Sequence, residues 1–221
     1  MTKTPSRAAL LLTLTLLAPA ALAQQSVSKV NGGIDVATGQ TYGDVETVNG
    51  GITLGDNATV EDAETVNGGI KGGNGVRAQS LSTVNGGIRL GTNAVVRGDV
   101  ETVNGGIFID RGSQIGGDVE TVNGAIGLVG TRLAGGIETV NGDITVGIDS
   151  HVRGGIKVTK PKRNLTVQKR DPRVVIGPNA VVEGPLVFER PVTLYVHSSA
   201  RTGPVTGATA LGFDTPTAPN D

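Results

Sequence analysis

The chain has 221 residues, a formal net charge of -1 and a pI near 6.1. Aromatic residues make up 2% of it while glycine fills 35 positions, which excludes a globular core built around large rings and leaves a thin, aliphatic one. A charge so close to zero gives no overall field that would hold nucleic acid or an anionic membrane. Nucleic acid is therefore not expected as a partner.

Residues 1–23 have the pattern of a secretory signal peptide. Lys3 and Arg7 precede the apolar run 8–17, and Ala21-Leu22-Ala23 has the small residues of a cleavage site. A retained membrane anchor is the alternative, but the run is short, so we predict a mature chain from Gln24 without a transmembrane segment. The absence of cysteine excludes disulfides and a lipidated cysteine anchor. The predicted location is the periplasm, the extracellular space or the cell surface.

A Val-Asn-Gly block recurs at spacings of 18 or 19 residues along most of the chain. Its anchor asparagines are Asn31, Asn49, Asn67, Asn85, Asn104, Asn123 and Asn141. Neighbouring residues recur with them, as in the Thr-Val-Asn-Gly-Gly-Ile runs that begin at Thr47 and Thr65. Such a period predicts a repeat architecture with one coil per repeat.

Each repeat favours strands over helix, because glycine pairs interrupt it and apolar residues alternate with a period of two. Three short strands and three corners account for 18 residues, and stacking the coils pairs each strand with its copies. The prediction is an all-β, single-stranded parallel β-helix (β-solenoid) over residues 24–206, with 18–19 residues per coil and nine or ten coils.

The Asn-Gly corner has a physical explanation in such a coil. Asparagine and glycine tolerate positive φ at a sharp turn, and stacked asparagine amides can hydrogen-bond from coil to coil. We therefore interpret the anchor asparagines as a structural ladder, with room for a ligand only where the ladder ends.

The handedness of the coil has two interpretations. Runs such as Leu54 to Val60 and Ile176 to Val182 place apolar residues six apart, as in the left-handed β-helices of hexapeptide acyltransferases. Ala63 is out of step with that pattern, and several coils carry a nineteenth residue. These departures favour a right-handed helix.

The run from Ala94 to Ile107, Ala-Val-Val-Arg-Gly-Asp-Val-Glu-Thr-Val-Asn-Gly-Gly-Ile, resembles the repeats of the bactofilins and of secreted putative-adhesin proteins. The resemblance extends over about residues 28–205. It implies a β-helix that polymerises end to end, as the bactofilins do. Bactofilins are cytoplasmic or associated with the inner membrane, so the export signal departs from a cytoskeletal role.

An acidic stripe precedes the anchor asparagines. Its members are Glu46, Glu64, Glu101, Glu120 and Glu138, and two positions earlier Asp44, Asp62, Asp99 and Asp118. Stacked coils place like carboxylates about 5 Å apart, which is repulsive unless solvent or a cation screens them. A solvated face that resists aggregation is the favoured interpretation, and weak binding of divalent cations is the alternative. No definite metal site and no cofactor are predicted.

A basic segment interrupts the repeat near residues 157–173. Its cations are Lys157, Lys160, Lys162, Arg163, Lys169, Arg170 and Arg173. A solvated insertion is the simpler interpretation, and a patch that binds an envelope polysaccharide or another anionic glycan is the functional one. No aromatic residues alternate with the cations, which disfavours base stacking.

Enzymatic interpretations have little support. His151 and His197 are the only histidines, and neither lies in a nucleophile, zinc or phosphate-loop motif. The outward positions after each isoleucine are too mixed for a flat threonine array that would bind ice. A β-helix enzyme acting on polysaccharide stays the alternative, although two Tyr and three Phe make a poor sugar platform.

The two ends of the predicted rod differ. Repeats begin at Ser28, almost at the mature terminus, so little sequence could cover the first coil. Near the other end Arg190-Pro191 and Gly203-Pro204 interrupt pairing, and residues 207–221 have the composition of a disordered tail. The sequence thus predicts an exported, non-enzymatic structural or adhesin-like solenoid. It would act through self-association at its N-terminal coil or by binding to the cell envelope.

Overall fold

The computed structural model describes residues 25–161 and 170–219, and these form ten stacked coils of parallel β-strands. The predicted signal peptide at 1–23 lies outside the described residues, as do Lys162, Arg163 and Lys169. No helix occurs in the described residues, and so none there has the length and hydropathy to cross a membrane. The prediction of an all-β parallel solenoid is confirmed.

Strands from successive coils build three sheets, A, B and C. Sheet A consists of β1 (Val27–Asn31), β3 (Val45–Asn49), β5 (Asp62–Asn67), β8 (Ser80–Asn85), β11 (Val100–Asn104), β14 (Val119–Asn123), β17 (Ile137–Asn141), β20 (Ile156–Val158), β23 (Leu186–Phe188) and β26 (Val205–Thr206). Sheet B consists of β2 (Ile34–Val36), β4 (Ile52–Leu54), β6 (Ile70–Gly72), β9 (Ile88–Leu90), β12 (Ile107–Ile109), β15 (Ile126–Leu128), β18 (Ile144–Val146), β21 (Arg173–Ile176), β24 (Thr193–His197) and β27 (Ala210–Phe213). Sheet C consists of β7 (Arg77–Ala78), β10 (Val95–Val96), β13 (Gln114–Ile115), β16 (Arg132–Leu133), β19 (His151–Val152), β22 (Val181–Val182) and β25 (Arg201–Thr202).

The core is a narrow aliphatic column inside the three sheets. Alternation along each strand turns every second side chain inward, so that Ile52 and Leu54 of β4 are buried while Thr53 between them is exposed. Register then stacks like on like, with Ile52 on Ile70 and Ile88 on Ile107. Because each aliphatic side chain packs on its copies above and below, no large aromatic residue is needed to fill the column.

The non-glycine residues with a left-handed backbone conformation lie at the corner between sheets B and C. Asn57, Asn93, Asp149 and Asn179 have φ between 55° and 58°, and several other coils have a glycine there, such as Gly75. The expectation that positive φ explains the Asn-Gly corner is therefore wrong for the seven anchor asparagines, none of which has positive φ. Positive φ is required instead at the corner between sheets B and C, where asparagine and aspartate tolerate it best after glycine.

The basic segment spans the connection from β20 to β21. Register places Ile144 beside Val174, thirty residues later, where the preceding coils need 18 or 19. The extra residues leave sheet A after β20 and return to sheet B at β21, so they replace an Asn-Gly-Gly corner.

The last coil extends beyond the predicted boundary at residue 206. Strand β27 pairs with β24, and Phe213 is buried with its ring edge-on to His197, 5.0 Å between centroids. The prediction of a disordered tail from residue 207 is thus wrong for residues 210–213. Phe213 supplies the apolar contacts that the proline and threonine content of the segment obscured, whereas Leu211 is exposed.

Candidate functional site

The seven anchor asparagines form one hydrogen-bonded ladder along an edge of sheet A. Each Nδ2 donates to the Oδ1 of the asparagine in the preceding coil, at 2.9–3.1 Å. All six bonds run in the same direction, so the ladder has a donor end at Asn31 and an acceptor end at Asn141. Ladders of this kind satisfy amide groups that would otherwise compete with the turn.

The threonine and the first glycine of each repeat act together beneath this ladder. The buried Thr65 hydroxyl donates to the Gly50 carbonyl of the preceding coil at 2.7 Å, and four other threonines repeat the contact. That carbonyl lies 2.0 Å from where a Cβ on Gly68 would stand. Glycine is therefore required here by the close approach of successive coils. Threonine was noted in the sequence only as a recurring neighbour, and its inward hydroxyl bond was missed.

The valine of the block faces outward, unlike the buried threonine that precedes it. Val48, Val66, Val84, Val103 and Val122 are 37–40% exposed, and Val30 in the first coil is 67% exposed. These side chains form an apolar stripe beside the asparagine ladder. A β-branched residue suits an exposed strand and packs on its copy in the next coil, which accounts for the stripe without a ligand.

The glutamates of the acidic stripe also lie in register on sheet A. Glu46 pairs with Glu64 and Glu101 with Glu120, and Ser82 stands between the two groups. Burial, and then the charges of Glu138, Glu101, Asp118 and Asp99, raise the pKa of Glu120. At its last step the stripe is neutralised, because the Lys157 Nζ lies 3.6 Å from Glu138 Oε1.

Most aspartates of the stripe accept hydrogen bonds from the following coil. The Asp99 carboxylate accepts the Asp118 N–H at 2.7 Å, and Asp118 accepts the Gly136 N–H at 2.6 Å. Asp62 accepts the Ser80 hydroxyl, and the Asp44 N–H donates to Ser26 Oγ. Across the described ranges, no three His, Cys, Asp or Glu side chains are grouped so that they could hold a metal ion. The carboxylates of Asp62, Asp99 and Asp118 thus accept hydrogen bonds from the following coil.

The described cations of the basic segment are dispersed. Arg170 makes a bidentate pair with Asp143, at 3.0 and 2.6 Å, and Asp143 also accepts the Arg173 N–H. Partial burial alone would raise the pKa of Asp143, but these bonds and the two guanidinium charges lower it. The Arg173 guanidinium stacks 5.0 Å from the Tyr195 ring centre, and the Lys160 N–H donates to Glu189. The side chains of Arg170, Arg173 and Lys157 are thus engaged internally, whereas Lys160 contacts Glu189 through its backbone N–H alone.

Arg190 closes the acceptor end of the asparagine ladder. Its Nη1 donates to Asn141 Oδ1 at 2.6 Å and to the Val140 carbonyl at 3.1 Å. Both Arg190 and Asn141 are 9% exposed, whereas every earlier anchor asparagine is exposed. Sequence reasoning missed this residue, because nothing near Arg190 signals a partner 49 positions earlier.

The donor end of the ladder is open in the described part of the chain. There β1 has β3 as its one hydrogen-bonded neighbour, and β2 has only β4. The Val27 N–H donates to Asp44 of the second coil, so strand alternation directs the Ser28 N–H to the opposite, open side. The amide of Asn31 has no acceptor among the described residues, and a Cβ on Gly32 would meet nothing within 4 Å.

The two histidines lie apart. His151 of sheet C contacts the Glu183 carboxylate at 2.6 Å, and His197 of sheet B contacts the Ser199 hydroxyl at 2.8 Å. Each is explained by a neighbour in its own part of the coil.

No protein-family model, curated protein or solved structure matches the chain.

Proposed function

We propose that the protein is an exported, non-enzymatic structural solenoid that acts in the cell envelope through self-association or by binding to envelope surfaces. The observation that carries the proposal is the contrast between the two ends of the asparagine ladder. Among the described residues, the first coil presents an open strand edge and the donor end of the ladder, while Arg190 covers the acceptor end at the seventh coil, three coils before the C-terminal one. An open, regular edge is a template for another strand.

The expected assembly is a head-to-head dimer through the first coil. Such an interface is self-complementary, because both molecules present β1, so it closes after two chains. The C-terminal coil is less suited to stacking, since residues 214–219, with Pro216 and Pro219, follow the last strand of sheet B. The resemblance of the repeats to the bactofilins, which polymerise end to end, agrees with association through coil ends.

Sedimentation velocity of the mature chain, residues 24–221, tests the proposal. The wild type should show a concentration-dependent monomer–dimer equilibrium. Ser28→Pro should abolish it, because proline removes an N–H on the open side and leaves the bond of Val27 to the second coil intact. Ser28→Ala is the matched control and should associate normally. A wild type that stays monomeric across a wide concentration range would refute self-association.

A further inference from the structure

A shallow groove of about 350 Å³ lies on the outer face of sheet C, away from the acidic stripe and the basic segment. Arg97, Arg132 and Arg153 line it, together with Gln114 and His151, and no Asp or Glu does. In a chain whose acids outnumber its Lys and Arg, 20 to 19, this concentration of guanidinium groups on one face is a local departure.

The groove exists because of which residues stack in one row. Arg97, Gly116, Ala134 and Arg153 follow the inward residues of four successive coils, as their hydrogen bonds to the preceding coils show. The two small residues in the middle leave the floor low, and an arginine closes each end. At about 4.8 Å per coil, the two arginines are roughly 14 Å apart.

The three guanidinium groups are available to a ligand. Arg97, Arg132 and Arg153 are exposed, and none has a carboxylate within 4 Å in the described residues. Glu183 at the end of the groove is engaged by His151. Arginine presents a planar fork of donors that matches carboxylate and phosphate oxygens, so the groove is built for anions.

We infer that this groove binds an extended anionic glycan, whose acidic groups pair with Arg97, Arg132 and Arg153 in turn. An elongated polymer fits better than a single small anion, because the cations are distributed along the coil axis. The inference deepens the surface-binding part of the proposed function and rests on it. It places the anion site on sheet C and away from the basic segment, in which the side chains of Arg170, Arg173 and Lys157 have internal partners.

Calorimetric titration of the mature chain with polygalacturonate, and with neutral dextran, tests the inference. The wild type should bind polygalacturonate but not dextran, and added salt should weaken binding. The variant R97Q/R132Q/R153Q should bind at least about tenfold more weakly, because it loses every guanidinium of the groove. The control K71Q/R89Q/R111Q makes the same charge change at exposed positions outside the groove and outside sheet C, and it should stay within about twofold of wild type.

Other outcomes would overturn the inference. Equal loss in both triple variants would mean unspecific charge attraction, and no binding at low salt would mean no site. Sedimentation of the same samples without polymer separates the remaining cases. If the groove variant loses self-association, the occupant is the acidic face of a second copy. If the wild type associates but does not bind, only the groove inference fails; if it does neither, the proposed function fails with it.

Discussion

The asparagine ladder begins and ends in different surroundings, although its seven members are chemically identical. At Asn141 the buried Arg190 guanidinium donates the hydrogen bond that the asparagine of a further coil would otherwise supply. The basic segment there replaces the next Asn-Gly-Gly corner. At Asn31 the strand edge, the amide and the glycine corner all face open space in the described part of the chain. In a repeat structure, each interior coil pairs the hydrogen-bonding groups of its neighbours, and unpaired groups remain at the ends. The function of a solenoid is therefore sought at its ends first.

The largest difference in stability should be between a glycine substitution at the corner of an interior coil and one at the corner of the open first coil. Gly86→Ala should cost at least about 3 kcal/mol of unfolding free energy, because its Cβ would stand 2.0 Å from the backbone oxygen of Gly68. Gly32→Ala, at the same position of the first coil, should cost only the strain of its φ of 99°, about 1–2 kcal/mol. Chemical denaturation of both variants measures the difference. Equal costs would contradict the close packing of successive coils.

The closed end should be the next most sensitive point. Arg190→Ala should cost about 2 kcal/mol, because Asn141 Oδ1 and the Val140 carbonyl lose their donor while the site stays largely buried. Arg201→Ala, at an exposed position, should change stability by less than about 0.5 kcal/mol. If the two substitutions have the same effect in urea denaturation, Arg190 does not close the ladder.

Within the ladder, position should set the effect. Asn85→Ala removes two side-chain hydrogen bonds, one to Asn67 and one from Asn104, whereas Asn31→Ala removes only the bond from Asn49. We expect about 1 kcal/mol for the first and about half of that for the second, since each exposed bond is worth about 0.5 kcal/mol. A larger loss at Asn31 in thermal or urea denaturation would argue against the ladder as described.

The acidic stripe should give the smallest effect, and one that depends on pH. The pKa of Glu120 is raised, so its ionisation destabilises the fold, and stability falls as pH rises through that pKa. Glu120→Gln should therefore raise stability by about 0.5 kcal/mol at pH 7, a typical value for relief of facing like charges. The gain should vanish in acid, below the ordinary glutamate pKa of about 4.3, where both proteins are neutral at this position.

Thermal unfolding of the two proteins across this pH range checks the prediction. Glu138→Gln serves as the contrasting variant, because it removes the contact with Lys157 at the neutralised end of the stripe. It should not stabilise the protein at pH 7. A stabilisation equal to that of Glu120→Gln would show that the two ends of the stripe do not differ.

The fold could be predicted from the sequence because its determinants are local and repeated. Period, alternation and glycine corners recur in every repeat around Asn49 or Asn67, and each coil needs only its neighbours. The role of the first glycine could not be separated from positive φ, because glycine suits both a left-handed turn and a close approach. Only the stacked backbone, with Gly50 against Gly68, distinguishes them.

The site features that sequence reasoning missed depend on distance along the chain. Arg190 reaches Asn141 only because the long coil and its successors return the chain to that corner. The sheet C groove depends on a register in which coils of 18 and 19 residues alternate, so that Arg97 and Arg153 fall in one row. Neither arrangement follows from a motif, since Arg190, Arg97 and Arg153 lie outside the repeating block.

Hydrogen–deuterium exchange of the mature chain at two protein concentrations tests the open first coil most directly. If the first coil is the association surface, the amides of β1 on its open side, those of Ser28 and Val30, should gain protection as concentration rises. Amides of β26 at the other end of sheet A should not change. Unchanged exchange in β1 over a concentration range in which the protein associates would contradict this account, because association would then use another surface.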